Sequence, residues 1–140
     1  VRAVATVVDA LKVLETEEVG VIVADMAAGK DALVTMFKLL KAGHPEILSI
    51  LVTDAPDAEL AIELINQAQV FRLLTKPLNT RNLRGYVDMA LRRYAAFKAT
   101  PGLVRQHRVK ESASAKSSDW GSRLFERIRA LPTRLFSRSA

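Results

Sequence analysis

Three side chains able to do chemistry each follow a short apolar run. Asp25 follows Val21-Ile22-Val23-Ala24, Thr53 follows Ile50-Leu51-Val52, and Lys76 comes just after Val70–Leu74. Apolar runs of this length read as buried strands of a parallel sheet. In such a sheet a ligand site forms at the carboxyl ends of the strands. Lys76 is placed there to meet an anion. Pro77 restricts the backbone of Lys76, and a cis Lys76-Pro77 bond would fix where the ammonium points. A plainer reading of the same residues has Asp25 and Thr53 capping loops and Lys76 solvated at a strand exit.

The elements that must position these residues are legible as alternating strands and helices. Val1–Thr6 is β-rich and reads as a candidate strand. Val7–Glu18 carries Val7, Leu11 and Leu14 at helical spacing. Val19–Ala24 reads as a strand and Asp31–Lys41 as a helix with the stripe Leu33, Met36, Phe37 and Leu40. Gly43-His44-Pro45 ends that helix. Ile47–Thr53 is the next strand, Asp57–Gln67 a helix with Leu60, Ala61, Leu64 and Ile65 on one face, and Val70–Leu74 the last strand. Asn79 or Thr80 caps a long helix that runs to about Lys98, with Leu83, Val87, Ala90, Leu91 and Tyr94 as its apolar face. Strands alternating with helices imply a doubly wound α/β fold of flavodoxin-like type.

With Asp25, Thr53 and Lys76 in this order and spacing, the chain resembles the receiver domain of bacterial two-component response regulators. Val21–Asp25, Leu51–Thr53, the string Phe71–Pro77 and the preceding Ala61–Asn66 carry the resemblance, which covers about residues 1–97. It implies Asp25 as phosphoacceptor, Thr53 as the hydroxyl that contacts the phosphoryl oxygens, and Lys76 as their charge partner. A carboxylate nucleophile forms an acyl phosphate, and a nearby ammonium and a divalent ion offset the developing charge. The implied partners are a histidine kinase or phosphotransfer protein, and the implied localisation is cytoplasmic. The implied cofactor is Mg²⁺, with Asp25 and the Ala27 carbonyl among its ligands. No enzyme activity is implied.

Four features depart from the family. The first strand–helix unit is not found, and with it goes the acidic pair that completes the Mg²⁺ site. Asp54 stands where the family has a small residue. The loop Met26–Lys30 is one residue short and lacks the usual Met-Pro. Leu73 occupies the aromatic switch position. A sheet missing its central strand leaves backbone groups unpaired, which predicts a truncated receiver, a strand supplied by Val1–Thr6, or a homodimer. Two alternatives to a phosphorylated receiver follow. One is a phosphorylation-incompetent pseudo-receiver used for dimerisation or scaffolding, and the other is a small flavodoxin-like ligand binder.

Charge divides the 140 residues into unlike parts. Residues 1–98 hold 12 Lys/Arg against 12 Asp/Glu, and residues 99–140 hold 9 against 3, so the formal charge of +6 lies in the last 42 residues. The expected organisation is a receiver-like domain at 1–98, a linker at 99–118 rich in Ser and Lys, and a basic amphipathic tail at 119–140. In the tail, Trp120, Leu124, Ile128 and Leu131 recur about every four residues with Arg123, Arg127 and Arg129 between them. Three readings fit it: a solvated tail, a helix on an anionic membrane surface, or an electrostatic contact to nucleic acid or an acidic partner. No helix-turn-helix is recognisable, which disfavours nucleic acid. The absence of Cys excludes disulfides, thiol catalysis and Cys-based zinc sites. His44 and His107 have no catalytic companions at useful spacing and read as surface residues. No phosphate-cradling Gly-rich motif is present.

Overall fold

A computed structural model describes residues 1–54, 58–105 and 119–131. Its elements in chain order are α1 (Val7–Thr16), β1 (Val21–Asp25), a short 3-10 turn (Met26–Ala28), α2 (Lys30–Gly43), β2 (Leu48–Thr53), α3 (Ala58–Asn66), β3 (Arg72–Thr75), α4 (Thr80–Ala99), the single turn α5 (Gly102–Arg105) and α6 (Asp119–Arg129). The three strands form one parallel sheet in the order β1-β2-β3. Parallel strands need crossover connections, and α2 and α3 supply them.

The sheet has two covered faces, and the pleat assigns side chains to each. Val23 pairs with Ile50, and Ile50 with Arg72, so Val21, Leu48, Ile50 and Leu74 share one face. Helix α4 lies there, contributing buried Ala90 and Phe97. The opposite face carries Ile22, Ala24, Leu51 and Leu73 beneath α1, α2, α3 and α6. The central strand β2 is buried along its whole length, as a two-sided core strand must be.

Local chemistry sets the element ends. Thr6 does not extend a strand; its Oγ1 accepts the Asp9 N–H at 3.1 Å and caps α1. The expected strand at Val1–Thr6 is therefore absent: Thr6 is taken up as the cap of α1, and the residues before it pair with no strand of the sheet. Asn79 caps α4 by accepting the amides of Arg81 and Asn82. Gly29 holds φ at 128° where the 3-10 turn gives way to α2, a conformation that excludes a side chain without strain. Gly20 lets the Tyr94 ring close on β1, since a Cβ there would lie 2.5 Å from the ring.

Other boundaries differ modestly from the sequence reading. The last strand begins at Arg72, because Val70 N–H bonds back to the Leu64 carbonyl and leaves Val70 in the turn. Of the face expected on α3, Leu60 and Leu64 are buried while Ile65 is exposed. On α4, Leu91 is exposed and Phe97 is buried instead. The expected start of α3 at Asp57, the linker from 106 to 118 with His107, and the tail beyond Leu131 lie outside the described residues. Among the described residues, no helix is long and apolar enough to cross a membrane.

Candidate functional site

Parallel register brings the three strand ends to one edge. Asp25 pairs with Val52 and Thr53 with Thr75, so Asp25 and Thr53 end adjacent strands, and Lys76 follows the third, at the same carboxyl end of the sheet. Lys76 N–H donates to the Thr53 carbonyl at 2.9 Å, which ties the last strand to the middle one at its exit. The Lys76-Pro77 peptide bond is cis.

Asp25 and Lys76 meet directly. Lys76 Nζ donates to Asp25 Oδ2 at 2.6 Å, and the Ala27 N–H donates to Asp25 Oδ1 at 2.9 Å. Asp25 thus caps the Met26–Ala28 turn and pairs with Lys76 at once. The plain capping role and the site role expected from the sequence occupy the same two oxygens. Lys76 and the Ala27 amide hold the Asp25 carboxyl below its usual range, and Asp25 holds the Lys76 ammonium above its own. Asp54 stands 3.7 Å from Lys76 Nζ and is mostly exposed. The Asp25 and Lys76 side chains are 46% and 33% exposed, so a solute can reach the pair.

Thr53 joins this edge through its backbone, and the residue as a whole is buried. Ala27 presents its N–H to Asp25, which is a donor and suits an anion. The residues present do not fit Mg²⁺. That ion demands octahedral oxygen ligands, usually one or two carboxylates and several waters. Here both Asp25 oxygens are already engaged, Oδ2 by the Lys76 ammonium and Oδ1 by the Ala27 N–H. Among the described residues, no cluster of three His, Asp or Glu side chains could hold a metal.

A second charged cluster lies at the opposite, amino edge, and sequence reasoning missed it. Lys41, His44 and Glu46 are 7%, 4% and 4% exposed. Lys41 Nζ donates to the Pro45 carbonyl at 3.1 Å. His44 Nδ1 lies 3.5 Å from Glu46 Oε1, and its Nε2 lies 2.9 Å from the Ile128 carbonyl of α6. A carbonyl only accepts, so Nε2 carries a proton. Burial pushes the Lys41 ammonium down, opposed by the nearby Glu46 and reinforced by Arg93. His44 is thus a core residue and not the surface residue its loop position suggested. The available signal was the dense run Lys41 to Glu46, with His and Glu two apart beside a strand start.

The basic terminal segment supplies the cover for this cluster. Leu124, Ile128 and Leu131 belong to the same core as Leu33, Phe37 and Leu40. Arg127 bonds Glu15 of α1 through Nε at 3.0 Å and Nη2 at 2.9 Å.

No protein-family model matches the chain, and no curated protein matches it. The receiver resemblance therefore rests on this chain's own residues.

Proposed function

We propose that this chain is a receiver-like signalling module that works through protein contacts, with its carboxyl-edge site held as a preformed ion pair. The observation that carries the reading is the Asp25–Lys76 contact at the end of a parallel sheet, beside the exit of Thr53. Strand-end Asp, Thr and Lys on one edge are what a receiver arrangement requires. An ammonium seated on the carboxylate, with no fitting cation site, favours the pseudo-receiver form of it. Incubation of the chain with acetyl phosphate and Mg²⁺, followed by intact mass, tests the reading. The expected result is no phosphoryl adduct on the wild type or on Asp25→Asn. A stoichiometric adduct lost in Asp25→Asn would overturn it.

That outcome would support the second reading, in which Asp25 is the phosphoacceptor for a histidine kinase or phosphotransfer protein. Its accessible and ionised carboxyl favours this. In that reaction an Asp25 oxygen attacks phosphorus; from a phosphohistidine donor the phosphorus–nitrogen bond breaks and the imidazole departs, and from acetyl phosphate the phosphorus–oxygen bond breaks and acetate departs.

The contact surface we assign is the outer edge of β1. No described strand pairs with that edge, and Val23 at its centre is half exposed. A free backbone edge with an exposed apolar side chain on the adjoining face suits pairing with a second copy. Sedimentation of the wild type should show a dimer that Val23→Lys converts to monomer. A monomeric wild type at high micromolar concentration would contradict this part.

A further inference from the structure

We propose that α6 is a latch with two mutually exclusive seats: the α1/α2 face of this chain and an anionic lipid surface. The first seat is built from three contacts. Leu124, Ile128 and Leu131 are buried in the core beside α2. His44 Nε2 holds the Ile128 carbonyl at the carboxyl end of α6, an oxygen that also accepts the Leu131 N–H. Arg127 grips Glu15 on α1.

The second seat follows from the same residues. A helix that lies in a lipid interface needs an apolar stripe on one side and Lys or Arg on the other. Leu124, Ile128 and Leu131 are that stripe, and Arg123, Arg127 and Arg129 stand among them against Asp119 and Glu126. Each Arg brought near an anionic surface raises affinity about fivefold. The stripe cannot face lipid while it packs on α2, and Arg127 cannot meet a head group while it grips Glu15. Docking in the chain therefore inhibits docking on lipid. Release of α6 leaves the sheet and helices α1–α4 with their own contacts, including the face covered by α4.

The inference does not depend on the receiver reading. A cross-link tests it in the full chain. A Cβ at Gly43 would stand 3.8 Å from Ile128 Cγ2. That is a contact with a γ carbon, and a disulfide closes at a Cβ–Cβ separation of about 3.5–4.5 Å, so formation of the bond is checked by intact mass before use. The chain has no cysteine, so Gly43→Cys with Ile128→Cys creates a single possible bond. Trp120 is the sole tryptophan and reports lipid contact by a blue shift. Both redox forms lack the Ile128 side chain, so the comparison isolates the cross-link: vesicles of phosphatidylcholine with one-third phosphatidylglycerol should bind the reduced double variant more tightly than the oxidised one. Pure phosphatidylcholine vesicles should bind neither. In the otherwise unaltered chain, Glu15→Gln should raise affinity for the anionic vesicles about two- to fivefold, because it removes one surface grip on the latch. Equal binding by oxidised and reduced forms overturns the proposal. So does an unchanged or weakened affinity in Glu15→Gln, whose stripe is intact, or the absence of anionic-vesicle binding by that variant.

Discussion

Both edges of the sheet place a lysine near a carboxylate, and the two lysines are shifted in opposite directions. At the carboxyl edge, Lys76 touches Asp25 in water and its ammonium is held above 10.5. At the amino edge, Lys41 is buried with Glu46 and His44 and its ammonium is held below 10.5. The same charge types serve different ends because solvent access differs. An exposed pair is cheap to make and to break, so it suits an exchangeable site. A buried cluster is costly to leave half-made, so it fixes packing. Here the cluster fixes α6, which supplies one of its acceptors from 84 residues away.

The largest expected effect comes from breaking the buried side of this comparison. Glu46→Ala leaves Lys41 buried without the opposite charge that offsets its burial, and should destabilise the chain by about 3 kcal/mol in urea unfolding. A loss no greater than that of an ordinary surface substitution would show that the amino-edge cluster is not structural. His44→Ala should cost less, about 1 kcal/mol, because it removes one buried hydrogen bond while the Ile128 carbonyl keeps its Leu131 N–H donor. Amide exchange should then speed up in α6 before it does in β2. Uniform acceleration in both would separate His44 from the latch.

Alkaline titration sharpens the contrast further. Lys41 has a folded value below its unfolded one, so the unfolded chain binds more protons in the window beneath 10.5, and Lys41 makes stability rise with pH there. Lys76 has a folded value above its unfolded one, so its contribution is complete below 10.5 and is lost as pH rises past it. Lys41→Met should flatten the rise measured by urea unfolding as pH approaches 10.5 from below, and an unaltered slope would contradict the assignment. The smallest expected effect belongs to Asp25→Asn, which should leave the urea midpoint at pH 7 in place. A marked drop would make the exposed pair structural as well.

Local rules were enough to read most of the frame. The apolar runs ending at Asp25 and Thr53 fall in strands, and Asn79 caps a long helix as its side chain predicts. Three features needed tertiary information. Val1–Thr6 has strand-like composition, yet Thr6 serves better as a cap than as a strand residue without a partner. The burial of Lys41 and His44 depends on α6 arriving from far along the chain, and no period in residues 41–46 announces it. The stripe of α6 was visible as an amphipathic pattern, but the pattern does not say whether protein or lipid covers it. At the candidate site, the strand ends located Asp25, Thr53 and Lys76. The 2.6 Å contact and the engagement of the Ala27 N–H depend on how the loops after β1 and β3 turn.

The most direct test of the central claim is a lysine titration in one sample. Carbon-13 labelling at lysine Cε gives each ammonium its own signal, assigned by Lys41→Met and Lys76→Met. The account predicts that the Lys76 signal titrates above 10.5 and the Lys41 signal below it. Coincident midpoints, or the reverse order, would contradict the division of the sheet into an open ion-pair site and a buried structural cluster.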